Sequence, residues 1–300
     1  MWKGVIGPMK KERRRHFRRH RSANRSLAGN LFVILILLLM GVCLAIPLYY
    51  AIVSSLKPFE EIFVFPPKFY VVNPTMDNFT DLFQIFANST VPFSRYVFNS
   101  LFVAVACTVL HIFFSSMAAY PLAKNSFRGK NVLFSIVVLA LLFVPQVTSL
   151  PQYIIMARLG WINTYLCLIC PFIGSSLGLF LMKQFMEGIP TSLIEAARID
   201  GASEFGIFFR IVMPNVKPAW LTLMIFTFQS AWNSTGQTFI FDEELKMLPI
   251  AVTQIISSNA IARMGVGMAS TVFLMIPPIV LFILSQSQVI QTMAHAGIKE

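Results

Sequence analysis

The sequence is short of charged residues. Of its 300 residues, 24 are Lys or Arg and 13 are Asp or Glu, so only 12% of the chain is charged. Soluble domains carry about 25% charged residues, and a surface with half that share is poorly suited to facing water on all sides. The 56% hydrophobic content and the 29 phenylalanines exclude an intrinsically disordered chain. We therefore expect an integral membrane protein.

Cysteine and histidine are also scarce, which argues against a metal site. Four cysteines in 300 residues exclude a secreted disulfide scaffold. Cys167 and Cys170 have a zinc-like spacing, but no second pair or histidine lies near them, so we interpret them as small apolar residues. His111 lies in an apolar run and is expected to be a hydrogen-bonded packing residue. The chain also lacks a Ser/His/Asp set and a phosphate-binding loop, so we predict neither an enzyme nor a bound cofactor.

The basic residues are concentrated before the first apolar run. Ten of the 24 precede residue 27, and no aromatic residues alternate with them to form a stacking platform, so nucleic acid is not an expected partner. A cationic arm beside a hydrophobic span holds that end in the cytoplasm, next to anionic lipid headgroups. We divide the chain into a basic arm (1–26), a transmembrane domain (27–290) and a cytoplasmic tail (291–300).

Six apolar runs are long enough to cross a bilayer as helices, which takes about 20 residues each. They are Leu31–Tyr50, Val97–Ala119, Val132–Ile154, Thr164–Met182, Ala219–Phe241 and Met268–Leu284. Continuous apolar runs of this length predict an all-α bundle of six transmembrane helices rather than a β-barrel. Pro145 and Pro151 are expected to break the third span, and Pro277 and Pro278 to kink the last one.

The loops between these spans predict the orientation. With the N-terminus inside, the cytoplasmic segments hold 18 Lys and Arg and the outer segments six, which satisfies the positive-inside rule. Both termini are therefore predicted to be cytoplasmic. The stretch Lys57–Tyr96, on the outer side in this orientation, contains five prolines and is expected to form a short irregular cap. None of the six spans contains Asp or Glu, which disfavours an ion-coupled secondary transporter.

The cytoplasmic segment 184–218 contains a helix–glycine–helix pattern. Ser192 and Glu195 have the spacing of a capping box, and Gly201 suits a left-handed helix stop. Ser203 is expected to cap a second helix that leads towards Pro214. Ala196 and Ala197 would leave one face of the first helix nearly flat, which suits docking in a partner's groove. The alternative is an ordinary amphipathic linker at the membrane surface.

The same segment resembles a known family. Glu195-Ala-Ala, three residues, Gly201, nine residues and Ile-x-Met213-Pro214 are similar to the cytoplasmic loop of bacterial ABC importer permeases of the binding-protein-dependent type, with Met213 in place of the usual Leu. Four further motifs resemble the carbohydrate-uptake, maltose-permease-like branch: Arg95-Tyr-x-x-Asn99-Ser100, Ala119-Tyr120-x-Leu122-Ala123, Leu159-Gly160-x-Ile-Asn163-Thr164-Tyr165 and Ala231-Trp232-Asn233.

The resemblance implies a type I ABC importer-like bundle in the bacterial plasma membrane. Its implied partners are a second homologous permease subunit, a dimer of ATPase subunits that bind ATP and Mg, and an extracytoplasmic solute-binding protein. The loop would couple this chain to the ATPase through the residues that match the family's contact motif: Glu195, Ala196, Ala197, Asp200 and Gly201.

A pathway for neutral sugars is expected to be lined by uncharged polar and aromatic side chains. Our candidates are Gln146, Gln229, Trp232, Asn233 and Gln237. Each of them could instead make hydrogen bonds between helices. Two alternatives for the function stay open: an ABC importer permease for a solute other than a sugar, and a channel or secondary transporter that works without ATP.

Overall fold

The computed structural model describes residues 27–87, 89–236, 239–258 and 264–296. Within these ranges every regular element is helical and no strand occurs. The all-α fold class is therefore confirmed. The predicted basic arm, 1–26, and the candidate pathway residue Gln237 lie outside the described residues.

The helices follow one another along the chain with short connections. They are α1 (Leu27–Ser55), α2 (Phe59–Ile62), α3 (Asp77–Ala87), α4 (Phe93–Lys124), α5 (Lys130–Ala140), α6 (Pro145–Arg158), α7 (Tyr165–Ile173), α8 (Ser176–Glu187), α9 (Thr191–Ile199), α10 (Glu204–Ile207), a π-helical turn (Phe208–Val212), α11 (Met213–Asn215), α12 (Lys217–Trp232), a 3-10 turn (Glu243–Leu245), α13 (Leu248–Ser258) and α14 (Met264–Ala296). Residues 291–296 of the predicted tail thus continue the last helix.

Several helices are long and apolar enough to cross a membrane. In the described ranges four segments qualify: Gly29–Ser55, Phe93–Lys124, Tyr165–Glu187 and Met264–Gln286. The number rises to six if two bent helix pairs each count as one span. These segments make the chain a multi-pass membrane protein.

The predicted third span is not one straight helix. The chain turns by 106° between α5 and α6. Pro145 is the first residue of α6, and Val144 before it is extended, because a proline disfavours helical geometry in the preceding residue. The predicted break at Pro145 is confirmed. Pro151 instead lies inside α6, so the predicted break there was wrong.

The predicted fifth span extends too far towards its C-terminal end. α12 ends at Trp232, and residues 233–236 form an irregular segment in which Gly236 has a φ of 62°. Polar residues and a glycine follow Trp232 directly, and such residues favour turns over helix. At the other end, the chain bends by 78° between Asn215 and Lys217.

The predicted irregular cap contains a regular amphipathic helix, α3. Its Leu82 and Phe86 side chains are buried, and the Phe83 ring lies 5.6 Å from the ring of Phe273 on α14. The five prolines of this segment lie outside α3, which is why their number misled the prediction. α14 itself continues as one helix through Pro277 and Pro278.

The described residues fall into two units that part between Tyr49 and Tyr50. In the first unit, the apolar side chains of α1 are exposed, as a lipid-facing helix requires. The second unit has two buried apolar clusters. One is built from α3, α4, α6, α7, α12, α13 and α14, and the other from the last turns of α4 with α8, α9, α10, the π-helical turn and the start of α12. Helix α4 therefore belongs to both clusters.

Helices α4 and α8 approach each other closely at Gly178. A Cβ atom built on Gly178 would lie 2.2 Å from Nε2 of His111 and 2.5 Å from Oγ of Ser115. His111 has little room to move, since Nδ1 is 2.9 Å from Oγ1 of Thr227 and Nε2 is 3.3 Å from the Ser175 carbonyl oxygen. The expectation that His111 is a hydrogen-bonded packing residue is confirmed.

We predict that Gly178→Ala destabilises the protein by about 2 kcal/mol, because the added methyl group must displace the fixed His111 ring. Thermal unfolding of the purified protein in detergent measures the effect. Gly41→Ala is the matched control, because nothing lies within 4 Å of the position of its added Cβ. Equal melting temperatures for the two variants would contradict the packing described here.

Candidate functional site

The first helix of the elbow, which we define as residues 189–214, starts without a capping box. α9 begins at Thr191, Pro190 precedes it, and no side chain caps its first turn. Ser192 is already helical, so its hydroxyl cannot serve as the predicted N-cap. Pro190 directs the chain instead, because its fixed φ of −59° is compatible with helix entry.

The end of α9 at Gly201 is as predicted. Gly201 has a φ of 80°, in the left-handed region that favours glycine. The amide of Ala202 donates to the carbonyl of Ala197 at 3.0 Å, and the amide of Gly201 donates to the carbonyl of Arg198 at 3.1 Å. These two bonds form a Schellman motif, which ends the helix sharply. The predicted cap of the second helix is confirmed too, since Oγ of Ser203 accepts from the Gly206 amide at 3.1 Å.

The predicted contact residues do not all lie on one face. Glu195, Ala196, Asp200 and Gly201 are exposed. Ala197 is only 9% exposed and packs inwards with Ile194, three residues earlier on the same side of the helix. The expectation that both alanines form one flat outer face was therefore wrong.

The most exposed apolar side chain of the elbow was missed by the sequence reasoning. Ile199 is 86% exposed at the turn, beside Asp200 and Gly201. Phe205 and Phe209 on the second arm are exposed as well. An isolated exposed isoleucine has no sequence signature, because its position relative to the buried face depends on how α9 is rotated. The elbow thus presents apolar and acidic groups together.

Polar contacts attach the elbow to the last turns of α4. Nε of Arg198 lies 2.7 Å from Oε1 of Glu204, and the Tyr120 hydroxyl donates to Oε2 of the same carboxylate at 3.2 Å. The hydrogen bond from Arg198 holds the pKa of Glu204 below its usual value. Lys124 donates to the carbonyls of Ile189, at 2.5 Å, and Glu187, at 3.2 Å. Both arms of the elbow are therefore bonded to α4.

The predicted pathway residues are not all accessible. Gln146, Gln229 and Asn233 are exposed. Trp232 is 2% exposed, its indole N–H donates to the Leu274 carbonyl at 2.9 Å, and its ring stacks on Phe228. Its interpretation as a lining residue was wrong, because a tryptophan that is buried with its one donor satisfied is part of the core.

A cavity of about 430 Å³ lies between α6, α7, α12 and the segment after α12. Uncharged polar and aromatic side chains make up much of its lining, and none of its lining residues is charged. The polar ones are Gln152, Ser175, Ser230, Ser234 and Thr235, and the aromatic ones are Phe172 and Phe239. The sequence reasoning missed these residues, although the polar run after Trp232 was a usable signal.

The chain is similar to known transport permeases in sequence and in fold. It is 31% identical over 269 residues to the arabinooligosaccharides transport system permease protein AraQ of Bacillus subtilis, covering 88% of this chain and 94% of that protein. A crystal structure of a bacterial ABC transporter involved in the import of the acidic polysaccharide alginate matches with a TM-score of 0.73 at 22% identity, covering 88% of this chain and 98% of that one.

A second crystal structure shows a bacterial alginate ABC transporter in complex with an alginate pentasaccharide-bound periplasmic protein. It matches with a TM-score of 0.60 at 13% identity, over 85% of this chain and 93% of that one. At these identities the two structures establish the fold. Residues 26–295 match the model of the binding-protein-dependent transport system inner membrane component. Because this match spans most of the sequence, the chain belongs to that family of ABC transport permeases.

Proposed function

We propose that this chain is a membrane-spanning subunit of an ATP-driven importer of oligosaccharides or polysaccharide fragments. It pairs with a second homologous permease, rests on two ATPase subunits that bind ATP and Mg, and receives its solute from an extracytoplasmic binding protein. Its place is the bacterial plasma membrane, with both termini in the cytoplasm. The similarity to AraQ, named for arabinooligosaccharides, and to alginate importers supports an oligosaccharide as the solute.

The attachment of the exposed elbow to α4 is the observation that carries the coupling role. Glu195, Ala196, Ile199 and Asp200 form an exposed edge, while Tyr120 and Lys124 hold the elbow on a helix of 32 residues. When a partner bound to this edge moves, α4 moves with it, because the elbow is bonded to α4 and does not move independently of that helix. Closure of the ATPases would in this way drive the bundle between inward-open and outward-open states.

The energy for transport comes from the neighbouring subunits. The six predicted spans contain no Asp or Glu, the groups that ion-coupled carriers place at membrane depth. The cavity between α6, α7 and α12 suits a neutral sugar on the transport pathway. Its hydroxyls and amide provide hydrogen bonds, and Phe172 and Phe239 provide surfaces on which a sugar ring stacks.

Crosslinking of the elbow to the ATPase tests the coupling role directly. We expect Ala196→Cys, introduced with the exposed Cys43 replaced by alanine, to form a covalent link to an ATPase subunit through a maleimide–benzophenone crosslinker. The maleimide adds to the cysteine thiol, and on illumination the benzophenone inserts into a C–H bond of the ATPase. Ala197→Cys is the matched control, because the neighbouring side chain is buried and should link poorly. Equal linking by both variants, or uptake by the single chain without ATP, would overturn the proposal.

Substitutions of Gly201 test the shape of the elbow. A Cβ at this position meets nothing within 4 Å, so only the left-handed backbone opposes a side chain. We expect Gly201→Val to strain the turn by about 1–2 kcal/mol and to lower ATP-dependent uptake in vesicles, with normal membrane insertion. Gly201→Asn should retain most of the uptake, since asparagine tolerates this conformation better. Normal uptake by Gly201→Val would argue against the coupling role.

The charge of the cavity predicts the class of solute. With no charged lining residue, we expect neutral arabino-oligosaccharides to compete for uptake by the assembled importer and alginate oligosaccharides to compete weakly. The measurement is inhibition of labelled arabino-oligosaccharide uptake in proteoliposomes. Stronger competition by the anionic sugar, or by a polyamine, would favour the alternative of a different solute.

A further inference from the structure

The outer part of helix α4 contains an amide that is almost fully hydrogen-bonded. Asn99 is 0% exposed, and its Nδ2 donates to the carbonyls of Glu244, at 2.8 Å, and Lys246, at 2.9 Å. Its Oδ1 accepts from the Tyr165 hydroxyl at 2.7 Å. One side chain of α4 therefore holds the backbone of the segment that follows α12, and three of its four hydrogen bonds are made.

Two neighbours of Asn99 hold the same segment. Oγ of Ser100 accepts from the Leu248 amide at 2.7 Å. The Tyr96 hydroxyl donates to the carboxylate of Glu243 at 2.8 Å. All three residues belong to the motif Arg95-Tyr-x-x-Asn99-Ser100, which neither the elbow nor the cavity explains.

The motif Leu159-Gly160-x-Ile-Asn163-Thr164-Tyr165 holds the start of the same segment. Oδ1 of Asn163 accepts from the amides of Phe241, at 2.6 Å, and Asp242, at 3.1 Å. The backbone N–H of Asn163 donates to the Phe239 carbonyl at 3.0 Å. Residues 239–248, which we name the outer segment, are thus bonded to α4 and to the turn before α7. Their position depends on these side chains, because among the described residues between α12 and α13 only the short 3-10 turn is regular.

We propose that α4 moves as a rigid helix and transmits the movement of the cytoplasmic elbow to the outer segment. Asn99 and Ser100 are positioning residues at its outer end, and Tyr120 and Lys124 are positioning residues at its inner end. From Asn99 to Tyr120 the helix covers about 32 Å. This inference rests on the proposed function and deepens it by assigning the two α4 motifs to the two ends of the transmission.

The packing of α4 supports this role. Its middle is held by interior contacts, since Ala104, Cys107, Ser115 and Ser116 are all buried. A helix that is hydrogen-bonded along its length and packed along one face on the protein interior transmits displacement with little loss. Interiors at this density do not compress readily. Pro121, the one proline in α4, removes a single backbone hydrogen bond near the inner end, and the helix continues through it to Lys124.

The experiment reads the outer segment while the ATPase is switched. The complete importer, with Cys43→Ala and Glu244→Cys in this chain, is placed in nanodiscs. The Glu244 side chain is exposed, and only its backbone carbonyl is bonded to Asn99. The rate of modification by a hydrophilic maleimide is measured without nucleotide and after trapping with ATP and vanadate. We expect trapping to change this rate, and an unchanged rate would overturn the proposal.

Variants at each end then test the transmission. Asn99→Leu and the milder Ser100→Ala act at the outer end, and Tyr120→Phe acts at the inner end. Each removed hydrogen bond should reduce the change in modification rate by about five-fold. Ser116→Ala is the matched control, because this hydroxyl also lies on α4 but bonds only to the carbonyl of Phe113 in the same helix. A similar loss in the control would overturn the role of the two ends.

The double variant Ser100→Ala with Tyr120→Phe tests whether the two ends of α4 are coupled through the helix. Sites this far apart normally have additive effects. If α4 connects them, the double variant should be no worse than the stronger single variant, whereas a fully additive loss would overturn the proposal. Retained vanadate trapping and a retained link from Ala196→Cys to the ATPase show that coupling at the elbow is intact, so failure here is distinguishable from failure of the proposed function.

Discussion

The carboxylate of Glu204 holds the elbow in place, because it accepts from Arg198 within the elbow and from Tyr120 on α4. An exposed ion pair of this kind contributes little to stability, because solvent screens it. The buried cluster beneath it, with Ile194, Ile207 and Val212, therefore supplies most of the stabilisation. The polar contacts fix the orientation of the elbow on α4, and the apolar cluster makes that orientation stable enough to transmit movement.

Exposure and burial alternate along the elbow for one physical reason. α9 is an amphipathic helix on the surface of a buried cluster, so residues three or four apart face the same way. Ile194 and Ala197 face inwards, while Glu195, Ala196 and Ile199 face outwards. The outer edge combines acidic and apolar groups, a composition that suits a protein groove better than either water or lipid alone.

Much of the architecture could be predicted from the sequence, and the errors have common causes. Apolar run length located the helices that are continuous, as in α4 and α14. It failed where a proline or a polar run interrupts an apolar stretch, as at Pro145 and after Trp232. The length of an apolar run reflects how favourably its side chains transfer into lipid. Helix ends depend instead on backbone geometry and on competing turn residues.

The sequence by itself determined the membrane class, the family motifs and the turn at Gly201, because composition, residue spacing and the conformational freedom of glycine are local properties. Only the tertiary structure decided which motif residues face outwards, that Trp232 belongs to the core, and that Asn99 and Asn163 hold the same outer segment. Those outcomes depend on helix rotation and on contacts between residues more than 40 positions apart. A single sequence does not encode them as a readable pattern.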